Sequence, residues 1–269
     1  MILTVSHVTS YLYDPPVRGA VQSLRLTPSR HDGQRTIAWS VEVEGGIRGG
    51  SFRDGAGDVV EGWSLRGPAG ALRILVTGEV ETTDLAGLLR GHRESVPPDA
   101  YLRETPATRA DAALHDLART AAGGRDTLDR AHLLSSAVSE AILYRPGATA
   151  AHTTAAEALG LGEGVCQDHA QALVAVARIS GLPARYVSGY LGPDAEGVTH
   201  EAAHAWAEIW VAGLGWVGFD PANRCSPDGR YIRLGSGLDA GDAAPIRGIA
   251  HGRGDERLEV AVAVQSAQQ

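Results

Sequence analysis

The chain has 269 residues, 43% of them hydrophobic and 21% charged, with no apolar run near the roughly 18 to 20 residues of a membrane crossing; disorder, collagen and a transmembrane helix are excluded. Its formal net charge is −8, and its 24 basic residues, all arginine because lysine is absent, are scattered singly, so neither a nucleic acid nor a membrane is an expected partner. Two cysteines make no disulfide framework in a chain this long, and the opening Met-Ile-Leu-Thr-Val has neither the charged nor the long apolar region of a signal peptide, so a reduced, cytoplasmic protein is expected.

Residues 2–83 read as strand, with β-branched and aromatic residues alternating with polar ones over 2–13, 36–44 and 71–81. Asp54-Gly55-Ala56-Gly57-Asp58, between Ser51-Phe52 and Val59-Val60, has the composition of a hairpin loop. The expectation is an antiparallel, β-sandwich-like N-terminal domain over residues 1–83. Residues 84–105, with Pro97-Pro98 and no periodic apolar face, read as a linker.

Helical character then begins. Amphipathic helices are expected over 107–122, ended by Gly123-Gly124, and over 127–144, where Leu134, Val138, Ala141 and Ile142 share a stripe. Thr154 and Glu157 have the spacing of a capping box that starts a short helix toward Leu159. A longer helix over 166–180 carries Ala170, Leu173, Val174 and Ala177 on one face and stops at Gly181 and Pro183. Period two returns over 184–190, 203–211, 216–220 and a tail strand at 258–264, with Ala212-Gly213-Leu214-Gly215 as the turn of the middle hairpin. Helices followed by strands give an α+β second domain over residues 106–269.

Three residues of this second domain point to chemistry. Cys166 follows Gly162-Glu163-Gly164-Val165 and opens a helix, where unpaired amides favour a thiolate; a free cysteine is as readily a small buried hydrophobe. His204 shares a strand face with Trp206, Glu208 and Trp210, unusual company for an imidazole on a plain surface strand. Asp220, returning on the adjacent strand, comes within a residue or two of His204 and can orient its ring. Nucleophile, base and orienter form a working set whatever their order along the chain.

Four segments, Gly164-Val165-Cys166-Gln167-Asp168, Gly181-Leu182-Pro183-Ala184-Arg185-Tyr186-Val187-Ser188-Gly189-Tyr190, His204-Ala205-Trp206-Ala207-Glu208 and Gly215-Trp216-Val217-Gly218-Phe219-Asp220-Pro221, resemble the transglutaminase-like superfamily of bacterial thiol enzymes. That family is similar in fold to papain-like cysteine proteases. A looser likeness runs through Tyr231-Ile232-Arg233-Leu234 and Pro245-Ile246-Arg247-Gly248, and the front half looks like the β-rich region found before such cores. The resemblance implies a core of helices packed on an antiparallel sheet, and a triad of Cys166 as nucleophile, His204 as general base and acid, and Asp220 as orienter. It implies acyl transfer at an amide or peptide carbonyl through a thioester, with a peptide or protein as substrate and no cofactor or metal. Hydrolysis is favoured over crosslinking because water is always present and no amine-binding feature is recognisable; with no lysine, the chain cannot offer its own ε-amines. His169 departs from the family pattern, which has a larger apolar or aromatic residue there, and either perturbs the thiol or fills a polar pocket.

Rival readings remain. His200-Glu201-Ala202-Ala203-His204 spells the HExxH signature of zinc metallopeptidases, which requires a helix to bring both imidazoles to one face. A catalytically silent binding or scaffold protein on the same fold is the other alternative. Cys225 reads as a structural thiol and Trp206, Trp210 and Trp216 as core, while Glu208 is an ion partner or a solvated charge. No loop has calcium-site spacing.

Overall fold

A computed structural model describes residues 1–120, 123–194, 202–253 and 255–266. The front half is built on two long strands, β1 (Ile2–Leu24) and β4 (Val59–Thr82), with β2 (Gln34–Val43) and β3 (Ile47–Arg53) between them in sequence. β1 and β4 pair antiparallel along almost their whole length, with register shifts between Leu12 and Gly19. Along β1, Leu3, Val5, His7 and Thr9 alternate inward as its period-two pattern demands. The loop at 54–58 closes the β3–β4 hairpin through a hydrogen bond from the Asp54 amide to the Asp58 carbonyl.

Among the described residues four α-helices follow: α1 (Ala112–Thr120), α2 (Thr127–Ala141), α3 (Ala155–Leu161) and α4 (Cys166–Ile179). The end expected for the first, at 121–122, lies outside the described residues. The capping box at α3 forms as read: Thr154 Oγ1 accepts from the Glu157 amide, and the Glu157 carboxylate accepts from the Thr154 amide. Two short parallel strands, β5 (Leu143–Tyr144) and β6 (Glu163–Gly164), tie the exit of α2 to the entry of α4. The core sheet comprises β7 (Ala184–Leu191), β8 (Ala203–Val211), β9 (Gly215–Phe219) and β10 (Tyr231–Gly237), ordered β10-β7-β8-β9. α4 packs on the face of this sheet that carries Ala205, Ala207 and Ile209, in one core with Leu134, Val138, Leu173 and Val176.

Two expectations are corrected. The tail strand does not join the core sheet: β12 (Asp255–Ser266) pairs with β1 from Leu3↔Ser266 to Asp14↔Asp255, and β11 (Ile246–Ala250) pairs with the far end of β1. The front half is one hydrogen-bonded six-stranded antiparallel sheet, and it includes β11 and β12 from residues 246–266. Alternation marks a strand without naming its partner. The stretch read as a linker is also packed structure. The Gly87 carbonyl accepts from the Gly218 amide and the Leu89 amide donates to the Trp216 carbonyl, so residues 87–89 edge β9 as a strap. The front sheet meets the core along β10, where Leu3, Leu24 and Val76 share a cluster with Tyr190, Ile232 and Leu234.

Candidate active site

Cys166 is the first residue of α4, behind the extended N-cap Val165. The Asp168 carboxylate accepts from the Val165 amide at 2.8 Å and from Thr149 Oγ1 at 2.6 Å, which fixes the turn that presents the sulfur. Only a glycine fits at 164, because a Cβ there would stand 2.7 Å from Asp168 Cβ. His169 fills a polar pocket: its Nδ1 lies 2.9 Å from the Val165 carbonyl and its Nε2 2.9 Å from the Ile142 carbonyl, stapling the helix entry to the end of α2. Cys166 is only 3% exposed, so what reaches its sulfur is decided by its neighbours.

His204, 8% exposed near the start of β8, interacts with the Cys166 thiol, whose hydrogen bond and charge both act on the imidazole. Its Nε2 lies 2.6 Å from Asp220 Oδ2. The β8–β9 register sets Ala207 opposite Phe219, so Asp220 sits diagonally from His204. The ring is walled by Trp206, stacked at 6.4 Å and 25°, and by the edge of Tyr231 at 5.8 Å. Gly189, paired with His204 on β7, makes room for this, since a Cβ there would strike the Trp206 ring at 2.6 Å. Burial alone would lower the His204 pKa, but hydrogen bonds and charge from Asp220 and Cys166 outweigh it and raise the value to about 10.

Asp220 has no exposed surface. Burial pushes its carboxyl up, yet the hydrogen bond and charge of His204, with hydrogen bonds from Asn223 and Tyr231, hold it below the usual carboxylate range. A single oxygen, Oδ2, takes the load: besides facing His204 it accepts from Asn223 Nδ2 at 2.7 Å and from the Tyr231 hydroxyl at 2.7 Å. Asn223 and Tyr231 escaped the sequence reading as site residues. The available signals were that Asn223 is the only asparagine of the chain, three residues past Asp220, and that Tyr231 opens a family-like segment. Cys225 does not approach as a second nucleophile; both cysteines are free, and Cys225 Sγ lies 3.3 Å from the Tyr231 hydroxyl.

Glu208 is a buried ion partner, four residues along β8 on the face of His204. Its Oε2 accepts from Arg185 Nε at 2.6 Å and its Oε1 from Arg233 Nε at 2.9 Å. Arg185 also pairs with Glu94, five residues past the strap, and lies 4.0 Å over the Trp216 ring, while Arg233 donates to Asp58 of the front sheet at 2.7 Å. Trp206 packs with Val187, Leu191 and Tyr231. Of the HExxH spelling, His200 and Glu201 lie outside the described residues, and His204 lies on a strand where the signature requires a helix. A groove of about 340 Å³ runs beside the Asp220 loop, between Ser135, Ser139 and Glu140 of α2 and Arg224, Cys225 and Ser226.

Comparisons with known proteins fall on the same regions. Residues 115–221 match the family described as the transglutaminase-like superfamily, and residues 3–81 match the bacterial transglutaminase-like N-terminal region. An uncharacterized protein of Mycobacterium leprae is 32% identical over 97% of this chain and 98% of its own length. A protein-glutamine gamma-glutamyltransferase of Pseudomonas aeruginosa is 32% identical over 44% of this chain and 20% of its own length. In fold, the chain is similar to a crystal structure from Cytophaga hutchinsonii, described as that of a candidate cysteine protease. The TM-score is 0.75 at 18% identity, covering 100% of this chain and 92% of the other.

Proposed function

The chain belongs to the transglutaminase-like superfamily, and on that premise we propose that it is a thiol-dependent acyl-transfer enzyme in which Cys166, His204 and Asp220 act as one unit. The observation that carries the proposal is the 2.6 Å contact of His204 Nε2 with Asp220 Oδ2, the same imidazole interacting with the thiol of Cys166 at a helix N-terminus. The Cys166 thiolate attacks the carbonyl carbon of a peptide or protein amide, and the carbonyl π electrons move to oxygen. The Cys166 amide is one of the helix-start N–H groups without an intrahelical acceptor, and it is suited to hold that oxyanion. As the C–N bond breaks, the His204 imidazolium gives its proton to the departing nitrogen, leaving a thioester on Cys166. Water then attacks the thioester carbonyl while His204 takes its proton; the tetrahedral intermediate collapses, the C–S bond breaks, the acid is released and the Cys166 thiolate and His204 imidazolium are restored.

Hydrolysis is the favoured branch because water needs no binding site, whereas an amine acceptor does. A primary amine in the second step would give transglutamination instead. The two free thiols fit a reducing, cytoplasmic setting, since pairing Cys225 with Cys166 would abolish the nucleophile. The test is mass spectrometry of the protein mixed with a peptide-amide library, with and without methylamine. An acyl adduct on Cys166, absent from Cys166→Ala, supports the reading. A turnover product carrying free acid supports hydrolysis, one carrying methylamide supports the amine branch, and activity that survives Cys166→Ala overturns the assignment.

A further inference from the structure

Tyr231 takes part in no bond-making step above, yet it touches every part of the site's rear wall. Resting on the acyl-transfer reading, we propose that Tyr231, with Asn223, is a positioning residue: it locks Asp220 and the imidazole ring together and limits how tightly Asp220 holds the imidazole proton.

Four observations carry this. The Tyr231 hydroxyl donates at 2.7 Å to Asp220 Oδ2, the same oxygen that faces His204 Nε2. Asn223 Nδ2 donates to that oxygen too, at 2.7 Å, whereas Oδ1 accepts only a longer bond of 3.2 Å from the Asn223 amide among the described residues. The Tyr231 ring stands edge-on to both His204, at 5.8 Å, and Trp206, at 5.4 Å, so the imidazole has a stacked wall on one side and an edge on the other. Burial, then the charge of Asp220, push the Tyr231 hydroxyl far above its ordinary pKa, so it is a permanent donor and never a competing base.

A carboxylate oxygen with two neutral donors spreads its charge over them and competes less for the proton on the imidazole. The imidazolium is then acid enough to protonate the departing nitrogen, and the ring stays aimed at the sulfur. The ionisable groups that face His204 among the described residues are Cys166 from α4, Asp220 beyond β9 and Tyr231 from β10. Cys225 and Asp228 lie behind Tyr231 and Asp220, and Glu208 lies further along β8.

The test is titration of the His204 imidazole by NMR in Cys166→Ala, which removes the sulfur's upward pull and brings the midpoint into a measurable range, and in Cys166→Ala/Tyr231→Phe. Loss of the hydroxyl raises the midpoint by about one pH unit. With Cys166 intact, Tyr231→Phe lowers kcat on a trapped peptide amide about tenfold at unchanged KM. A midpoint that stays put or falls overturns the proposal, even where the melting temperature drops, because a merely structural tyrosine moves stability and not the titration. Asn223→Ala in the same background, expected to raise the midpoint, decides the matter if Tyr231→Phe does not fold. Full activity of Cys166→Ala would sink the acyl-transfer reading itself; an inactive Cys166→Ala with an unmoved Tyr231→Phe titration sinks this proposal alone.

Discussion

On the proposed mechanism, the proton on His204 sets the pH range in which this site turns over. Its folded pKa of about 10 lies above the ordinary 6.5, so the native chain keeps a proton that the unfolded chain releases between those values. The resulting stabilisation is complete below 6.5 and disappears as pH rises through about 10. Turnover is expected to fall on the alkaline side near that upper value, as the imidazolium needed by the leaving nitrogen is lost. Asp220→Asn should bring the His204 titration, followed by NMR, down toward 6.5 and lower kcat by about 10³ to 10⁴; an unmoved titration would refute the orienting role. The two thiols should separate under iodoacetamide. Cys166, beside the imidazolium at a helix start, reacts fast, while Cys225 reacts slowly at neutral pH because burial and then the charges of Asp220 and Asp228 push its pKa up against the Tyr231 hydrogen bond. Mass spectrometry of the labelled peptides checks this, and a fast Cys225 with a silent Cys166 would contradict the assignment. That Cys166, His204 and Asp220 come together was legible in the sequence because each lies in a short segment with its own signal: a glycine-flanked helix start, an imidazole among strand aromatics, a carboxylate one hairpin away. Tyr231 could not, because its link to Asp220 is made by a side chain arriving from a different strand, 11 residues on.

At the level of elements, the core sheet bears charge on its interior. Glu94, Arg185, Glu208, Arg233 and Asp58 alternate in sign along a chain of contacts that crosses β8, β7 and β10 on the face of His204. Burial works against ionised Glu208, but Arg233 and Arg185 outweigh it and hold the carboxyl at about 2. That depressed value stabilises the fold above the ordinary 4.5 and is lost as pH falls through about 2. Glu208→Gln leaves both guanidinium groups short of charge in the interior and should cost about 3 to 5 kcal/mol, the usual consequence of breaking a buried pair from one side. Thermal unfolding at neutral pH measures it, and a loss below about 1 kcal/mol, the worth of an exposed pair, would show the chain of charges to be solvated. The helices and β7 to β9 were legible because a 3.6 or 2.0 period, a capping box and a glycine turn are all local. Burial of Glu208 was not, because its partners sit 23 and 25 residues away on strands that only the fold brings alongside. The stretch at 84–105 was illegible for a related reason: the contacts of Leu88, Glu94 and Tyr101 are irregular, and no period announces them.

At the largest scale, residues far apart in sequence close one sheet. β12 returns to pair with β1, and Asp58, at the tip of the front sheet, accepts from Arg233, Ser29 and the Ser236 amide, so the front sheet is tied to the sheet that bears His204. His7 reinforces the same junction from β1, with Nδ1 2.7 Å from the Tyr190 hydroxyl and burial lowering its pKa to about 4. Neither region can loosen without stripping buried charge or apolar surface from the other. The front sheet is therefore expected to melt with the core in one transition. Calorimetry should give a van't Hoff enthalpy close to the calorimetric one, and tryptophan fluorescence should share its midpoint with loss of fast Cys166 labelling. Asp58→Asn leaves Arg233 with Glu208 as its remaining carboxylate partner and should lower that midpoint for both probes together. Two separated transitions, or a drop in the front-sheet signal that leaves Cys166 reactivity untouched, would mean that the thiol site is built without help from the β-rich front half.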